Sequence, residues 1–320
     1  MSATLRVGTR GSALAVWQTE HVRAQLREAG RATDRIEIRT TGDMVQHVPL
    51  AQIGSRALFT RQIDDAMLEE RIDLAVHSLK DLPTVLPPGI ALVAVGERED
   101  PRDALVGRGP LTWDDLTEGA VLATSSLRRR AQLLHLRPDL QVRDVRGNVD
   151  TRLAKLDATS EWTGILLATA GLVRLGLAGR IGQRLPGELM LSAPGQGALA
   201  VTARTGDAVA AQAAVRAVHH PATAVAVAAE RAFLRTLEGG CQVPVAAHAT
   251  RDPGGRLRLH GRVVSLGGER SVEGIETGPA RDEREADALG VALAVRLLGK
   301  GAASILAEVR AGAAPVVTEP

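Results

Sequence analysis

The sequence predicts the α/β class: two successive βα series, each building a largely parallel sheet, followed by a small α+β domain. Three observations predict it. Short apolar runs alternate with stretches of helical periodicity over most of the chain, the pattern of βα units. The charged stretch Glu97-Arg98-Glu99-Asp100-Pro101-Arg102-Asp103 interrupts that alternation, which resumes at Ala104. Beyond His219-His220-Pro221 the pattern changes to an alanine-rich helix, hairpin-like strands and a closing helix.

Residues 5–8 read as a strand, and Ser12 caps a helix that carries Leu14, Trp17, Val22 and Leu26 and stops at Gly30. Ile36 and Ile38 alternate with Glu37 and Arg39, as in a half-buried strand, and residues 42–57 have no period and read as a loop. Phe59, Ile63, Ala66 and Met67 mark a helix, with strands at 72–76 and 91–95 after it. In the second series, strands at 120–124, 141–145 and 164–168 alternate with helices at 127–136, 149–156 and 171–177. The chain turns again at Pro194-Gly195-Gln196-Gly197. The tail carries strands at 243–250, 256–264 and 268–276 and a helix at 282–298. The expected domains are residues 1–98 with a return segment 197–217, residues 99–196, and residues 218–320.

A chain of 320 residues, 45% apolar and 24% charged, can bury two or three separate cores as an ordinary globular protein. No basic stretch followed by an apolar core opens it, and no apolar run of membrane-spanning length is expected, so a cytoplasmic protein without a membrane partner is the reading. Basic and acidic residues nearly cancel, 39 against 37, but 36 of the basic residues are arginine, so only their positions carry meaning. Nucleic-acid binding is not expected. With no Tyr, two Phe and three Trp there is little on which a single strand could stack its bases.

Cys241 is the single cysteine, in Glu238-Gly239-Gly240-Cys241-Gln242-Val243-Pro244, so neither a disulfide framework nor a cysteine-rich metal site can form. An inert buried thiol, a nucleophile and a point of covalent attachment all stay open. Two strand-to-helix junctions, Val7-Gly8-Thr9-Arg10-Gly11-Ser12 and Leu122-Ala123-Thr124-Ser125-Ser126-Leu127-Arg128, gather backbone N–H groups, hydroxyls and an arginine. Singly, each reads as ordinary N-capping. As a pair in two similar domains they read as a carboxylate or phosphate site in a cleft, at the carboxyl ends of the strands. At a third junction, His77-Ser78-Leu79-Lys80-Asp81-Leu82-Pro83, the residues Ser78, Lys80 and Asp81 emerge where a strand leaves its sheet.

HSLKDLP at 77–83, TSSLRRR at 124–130, RGNVDTRL at 146–153 and GGCQVP at 239–244 resemble, in that order and spacing, the porphobilinogen deaminase (hydroxymethylbilane synthase) family. GTRGSALAVWQ at 8–18, AGLVRLGL at 170–177 and APGQGALA at 193–200 extend the resemblance over essentially the whole chain. It implies two periplasmic-binding-protein-like domains around a cleft and a third domain carrying the cysteine. It implies a dipyrromethane cofactor joined to Cys241 by a thioether. Onto it four molecules of porphobilinogen condense head to tail with loss of ammonia, and hydroxymethylbilane is released for tetrapyrrole (porphyrin and heme) biosynthesis.

By the same resemblance Asp81 is the catalytic carboxylate. Ser78, Lys80, Asp81, Thr124, Ser126, Arg128, Arg129 and Arg146 hold the cofactor, and Arg10, Ser12, Arg146, Arg152 and Arg174 hold incoming substrate or the growing chain. No metal, a monomeric state and hand-over of product to uroporphyrinogen-III synthase are further expectations. Every pyrrole carries an acetate and a propionate, so the product is a polyanion, and arginines on cleft loops suit it. One stretch departs from the family pattern: Gln52-Ile53-Gly54-Ser55-Arg56-Ala57-Leu58-Phe59 stands where a lysine-bearing GGKGLF-like run is usual. Gly195-Gln196-Gly197-Ala198-Leu199-Ala200 fits a dinucleotide fingerprint, but it precedes a strand-like run and not a helix. The rival reading is a non-catalytic two-domain receptor for a small polycarboxylate.

Overall fold

The structure is a computed structural model that describes residues 4–40, 60–237 and 243–312. The first lobe is built from β1 (Leu5–Thr9), α1 (Ala13–Glu28), β2 (Thr33–Glu37), α2 (Arg61–Leu68), β3 (Leu74–Ser78) and β4 (Ile90–Val95). Ser12 Oγ accepts from the Ala15 N–H to start α1, and Gly30 at φ +79° ends its last turn in the left-handed conformation. The second lobe follows as β5 (Asp103–Val106), β6 (Val121–Ala123), α3 (Leu127–Leu136), β7 (Gln141–Arg143), α4 (Val149–Ala158), β8 (Gly164–Ala168), α5 (Thr169–Arg174) and β9 (Gln183–Leu185). The chain then returns to the first lobe through β10 (Leu199–Arg204) and α6 (Ala208–Val218).

The two sheets share one plan. Their strand orders are β2-β1-β3-β10-β4 and β7-β6-β8-β5-β9, and in each the fourth strand runs against its neighbours. That strand is the crossing one, β5 where the chain enters the second lobe and β10 where it comes back. Apart from it the sheets are parallel, as βα alternation predicts. Both faces of the first sheet are covered, by Val22, Leu26, Ala210 and Ala214 on one side and by Ile63, Met67 and Ile72 on the other. The carboxyl ends of β1, β3, β6 and β8 therefore deliver their following loops to one edge of each lobe.

The third unit packs α7 (Pro221–Thr236) and α8 (Glu283–Leu297) on an antiparallel sheet of β11 (Val245–Arg251), β12 (Leu257–Val264) and β13 (Ser271–Gly278). His220 caps α7 through its ring nitrogen, with Pro221 at the first helical position. A kink at Gly301 leads into α9 (Ala303–Gly312). Here one expectation is corrected: the helical stretch Glu283–Ala311 has the length and hydropathy of a membrane span. Its residues Ala286, Leu289, Leu293, Ala294 and Leu297 form the core of this unit, and a helix that fills a core carries that composition as well.

Candidate active site

The Ser78–Asp81 turn is fixed by its leucines. β3 ends in a single 3-10 turn, Leu79–Asp81, in which the Leu79 N–H donates to the Ala198 carbonyl. Leu79 and Leu82 are buried with Val95, Ala198, Ala224 and Val227. Anchoring both leucines turns the side chains between them away from the core: Asp81 is exposed and Lys80 half-buried. Ser78 Oγ accepts from Gln18 Nε2 of α1 at 2.8 Å.

On the other lobe Ser126 Oγ caps α3, and Thr124 Oγ1 accepts from the Ser126 N–H at 3.2 Å. Arg128 and Arg129 both turn inward onto Asp103 at the start of β5, with guanidinium-to-carboxylate distances of 2.7 Å. Arg128 also donates to the Leu191 carbonyl and Arg129 to the Leu166 carbonyl. Burial alone would raise the Asp103 pKa, and the two adjacent guanidiniums override it and hold the carboxyl well below the usual range. Burial in turn lowers Arg129. Gln196 completes the group, its Nε2 donating to Asp103 Oδ1 at 2.9 Å while its Oε1 accepts from Lys80 Nζ at 3.2 Å.

These groups feel one another across the cleft. Burial pushes the Lys80 ammonium down to about 8, with Asp81 and Asp103 opposing and Arg129 and Arg128 reinforcing the fall. Burial and the charge of Arg129 push Arg152 down to about 10, against the pull of Asp81 and with a further push from Arg146. Lys80 and Asp81 of one lobe thus share a field with Arg128, Arg129, Arg146 and Arg152 of the other: five cations against the carboxylates of Asp81 and Asp103. Arg152 Nε donates to the carbonyl of Gly147, whose φ of +116° shapes the loop into α4. Arg146 Nη1 is buried without a hydrogen-bond partner among the described residues.

The other predicted residues sit further out. Arg10 follows β1, and its charge, after burial, helps to hold His77 down at about 4. Ser12 Oγ is engaged as the α1 cap. Arg174 donates to the Gly197 carbonyl at 2.6 Å and lies over the Trp17 ring of α1, 5.8 Å from its centroid, so it joins the two lobes beside the crossing segment. Cys241 and the loop at 42–57, with Gln52 and Arg56, lie outside the described residues. Sequence reasoning missed Asp103 and Gln196. Asp103 stands at the end of the charged boundary and Gln196 in a turn, a family-like stretch and a rejected dinucleotide motif, none of which gives either a site role, although both flank segments that cross between lobes.

Fold and site define a two-lobed α/β clamp that concentrates positive charge around one solvent-facing carboxylate, a protein that handles a polycarboxylate. Residues 5–212 match the family described as "Porphobilinogen deaminase, dipyromethane cofactor binding domain", and residues 224–299 match "Porphobilinogen deaminase, C-terminal domain". Porphobilinogen deaminases of Desulforudis audaxviator and Rubrobacter xylanophilus are 52% and 51% identical, covering 96% and 97% of this chain and 98% and 99% of theirs. That of Geobacter metallireducens is 48% identical over 95% of this chain and 94% of its own. Among solved structures, the methionine binding protein MetQ covers 67% of the chain and 89% of its own at 12% identity, with a TM-score of 0.44.

The chain belongs to the porphobilinogen deaminase family, and so is a transferase of tetrapyrrole biosynthesis with a dipyrromethane cofactor. The residues present fit that group. Two pyrroles carry four carboxylates, and the cleft offers an uncompensated surplus of cations and one buried guanidinium nitrogen, Arg146 Nη1, without a partner among the described residues.

Proposed function

We propose that this chain condenses four molecules of porphobilinogen head to tail onto dipyrromethane bound through Cys241 and releases hydroxymethylbilane, with Asp81 as the catalytic carboxylate. The observation that carries the residue assignment is the placement of Asp81, exposed in a turn whose neighbours are pinned, among cations drawn from both lobes. The cofactor supplies a pyrrole ring whose free α-carbon is the nucleophile.

The chain's own residues do the rest. Asp81 accepts hydrogen bonds from pyrrole N–H groups and faces the positive charge that develops on porphobilinogen as ammonia leaves, in a site already shaped before the reaction. It also stands ready to take the proton lost from the attacking α-carbon once the new carbon–carbon bond has formed. Lys80, Arg128, Arg129 and Arg146, with Ser78, Thr124 and Ser126, hold the cofactor's acetates and propionates. Arg10, Ser12, Arg152 and Arg174, with Arg146 shared, receive the incoming unit and the growing chain. Because Arg128 and Arg129 already share Asp103, their role includes fixing the cradle's shape as well as its charge. The segment with Cys241 is tethered between α7 and β11. Arg231 of α7 donates to the carbonyls of Pro83 and Thr84, two and three residues past Asp81, which holds α7 against the catalytic turn.

The division into residues 1–98 with 197–217, 99–196 and 218–320 is part of this proposal, as are a cytoplasmic monomer and hand-over of product to uroporphyrinogen-III synthase. Intact mass tests it. The purified protein should exceed its polypeptide mass by one dipyrromethane, and Cys241→Ser should remove the excess. Asp81→Asn should keep fold and cofactor but lose turnover by at least about 10²-fold. An unmodified Cys241 would reject covalent attachment there, and wild-type turnover in Asp81→Asn would reject Asp81 as the catalytic carboxylate.

A further inference from the structure

We propose that Gln196 is a positioning residue that locks the two halves of the cationic cradle into one register, tying Lys80 of the first lobe to Asp103 and its arginine pair on the second. The inference rests on the function proposed above and deepens it. Gln196 is 1% exposed and lies on the segment that returns from the second lobe, between Gly195 at φ +74° and Gly197 at φ +91°. All its polar groups are engaged. Nε2 donates to Asp103 Oδ1 at 2.9 Å and to the Pro101 carbonyl at 2.7 Å, and Oε1 accepts from Lys80 Nζ at 3.2 Å. Its backbone carbonyl accepts from Arg98 Nε at 2.8 Å and its N–H donates to Ala193. With two acceptors on one side and an ammonium on the other, the amide has one orientation that satisfies every partner.

The consequence is chemical. Lys80 is surrounded by Asp81, Asp103, Arg128 and Arg129, and two of these repel it. The carbonyl end of the amide offers Lys80 a fixed neutral acceptor, while the amino end adds a donor to a carboxylate already shared by Arg129 Nε and Nη2 and by Arg128. An apolar side chain of similar size would leave the arginines on Asp103 but release Lys80 from them. The cofactor's carboxylates would then meet two independent half-sites, and the order built in before binding would be lost.

The chain has lysines only at 80, 155 and 300, so amine acylation of cofactor-free protein, read peptide by peptide against pH, reports Lys80 with two internal references. In Gln196→Leu the loss of a hydrogen bond to the charged amine should move the Lys80 midpoint to lower pH, and in Gln196→Glu an added charge should move it to higher pH. Lys155 and Lys300 should stay in place. Mass gain on incubation with porphobilinogen should be slowed in Gln196→Leu by about tenfold or more. Gln196→Asn, one methylene shorter and unable to span both partners, should lie between, and it decides the matter on the same readouts if the leucine variant does not fold. A Lys80 profile unmoved in these variants, whether or not their stability or loading falls, overturns the inference, since a structural role alone leaves the lysine untouched. Should the wild-type protein itself gain no mass, the proposed function falls, and this inference with it.

Discussion

At Lys80 burial and charge act on the same atom. Its ammonium is pushed down to about 8 in the folded protein, against about 10.4 for an unperturbed lysine. For a cation whose folded pKa is lowered, the fold binds the proton less well than the unfolded chain does. The resulting cost to stability is present below about pH 8 and relieved as pH rises toward 10.4. Function runs the other way: the amine attracts carboxylates while charged and not above its pKa. Cofactor uptake by the cofactor-free protein should therefore slow as pH passes through about 8, and Lys80→Met should be slower throughout and lose that inflection. A wild-type profile that persisted in Lys80→Met would place the titrating group elsewhere. Much at this scale was legible in the sequence, because Ser78, Lys80 and Asp81 at a strand end and paired arginines at a helix start are uncommon polar company. What neutralises the arginines was not. Asp103 is 25 and 26 residues from them and Gln196 another 93 away from it, and nothing local announces a pairing made only by the fold.

Among the elements, βα alternation made the strands and most helices legible, since period-2 and period-3.6 patterns are local. The reversed direction of β5 and β10 was not, because strand direction is set by where the chain crosses between lobes. Nor was α6, an alanine-rich stretch whose weak pattern becomes a helix when its small buried face, Ala210, Ala213, Ala214 and Val218, meets the first sheet. The packing of α7 on α8 shows how one residue sets an element's position. A Cβ on Gly290 would lie 2.2 Å from the Ala229 carbonyl oxygen of α7. Two effects compete in Gly290→Ala: about 1 kcal/mol of better helix propensity, and a clash with rigid backbone that is relieved only by separating the helices. Separation opens gaps around Phe233, Leu289 and Leu293, each buried in that core, and overpacking of this kind costs about 1–3 kcal/mol. The variant should unfold at lower denaturant than wild type, and a gain in stability would show that the helices give way freely.

Across the whole molecule the three units meet at one buried carboxylate. Glu230 of α7, 0% exposed, accepts from Arg98 on the outgoing crossing, from the Gly195 N–H on the returning one and from the Ala249 N–H of β11, with His248 3.5 Å away. The third unit also reaches the arginine-bearing helix, through Arg262 to Gln132 and His135 to the Gly268 carbonyl. Both crossing segments are thus tied to α7 and β11 of the third unit. Burial would raise the Glu230 pKa, but Arg98 and His248 overcome it and hold it at about 2, against an ordinary 4.5. A carboxylate lowered on folding adds stability that is complete above its unfolded pKa and disappears as pH falls through its folded one. Glu230 therefore contributes fully above about pH 4.5, by about 3 kcal/mol, and loses that contribution between 4.5 and 2. Glu230→Gln cannot titrate, and it leaves Arg98 short of its counter-ion, at a cost of about 3–5 kcal/mol at neutral pH. Denaturation of both proteins from pH 7 to 3 should show a gap that is constant down to about 4.5 and narrows below it. A gap that stayed constant to pH 3 would mean that Glu230 does not carry the charge that joins the three units.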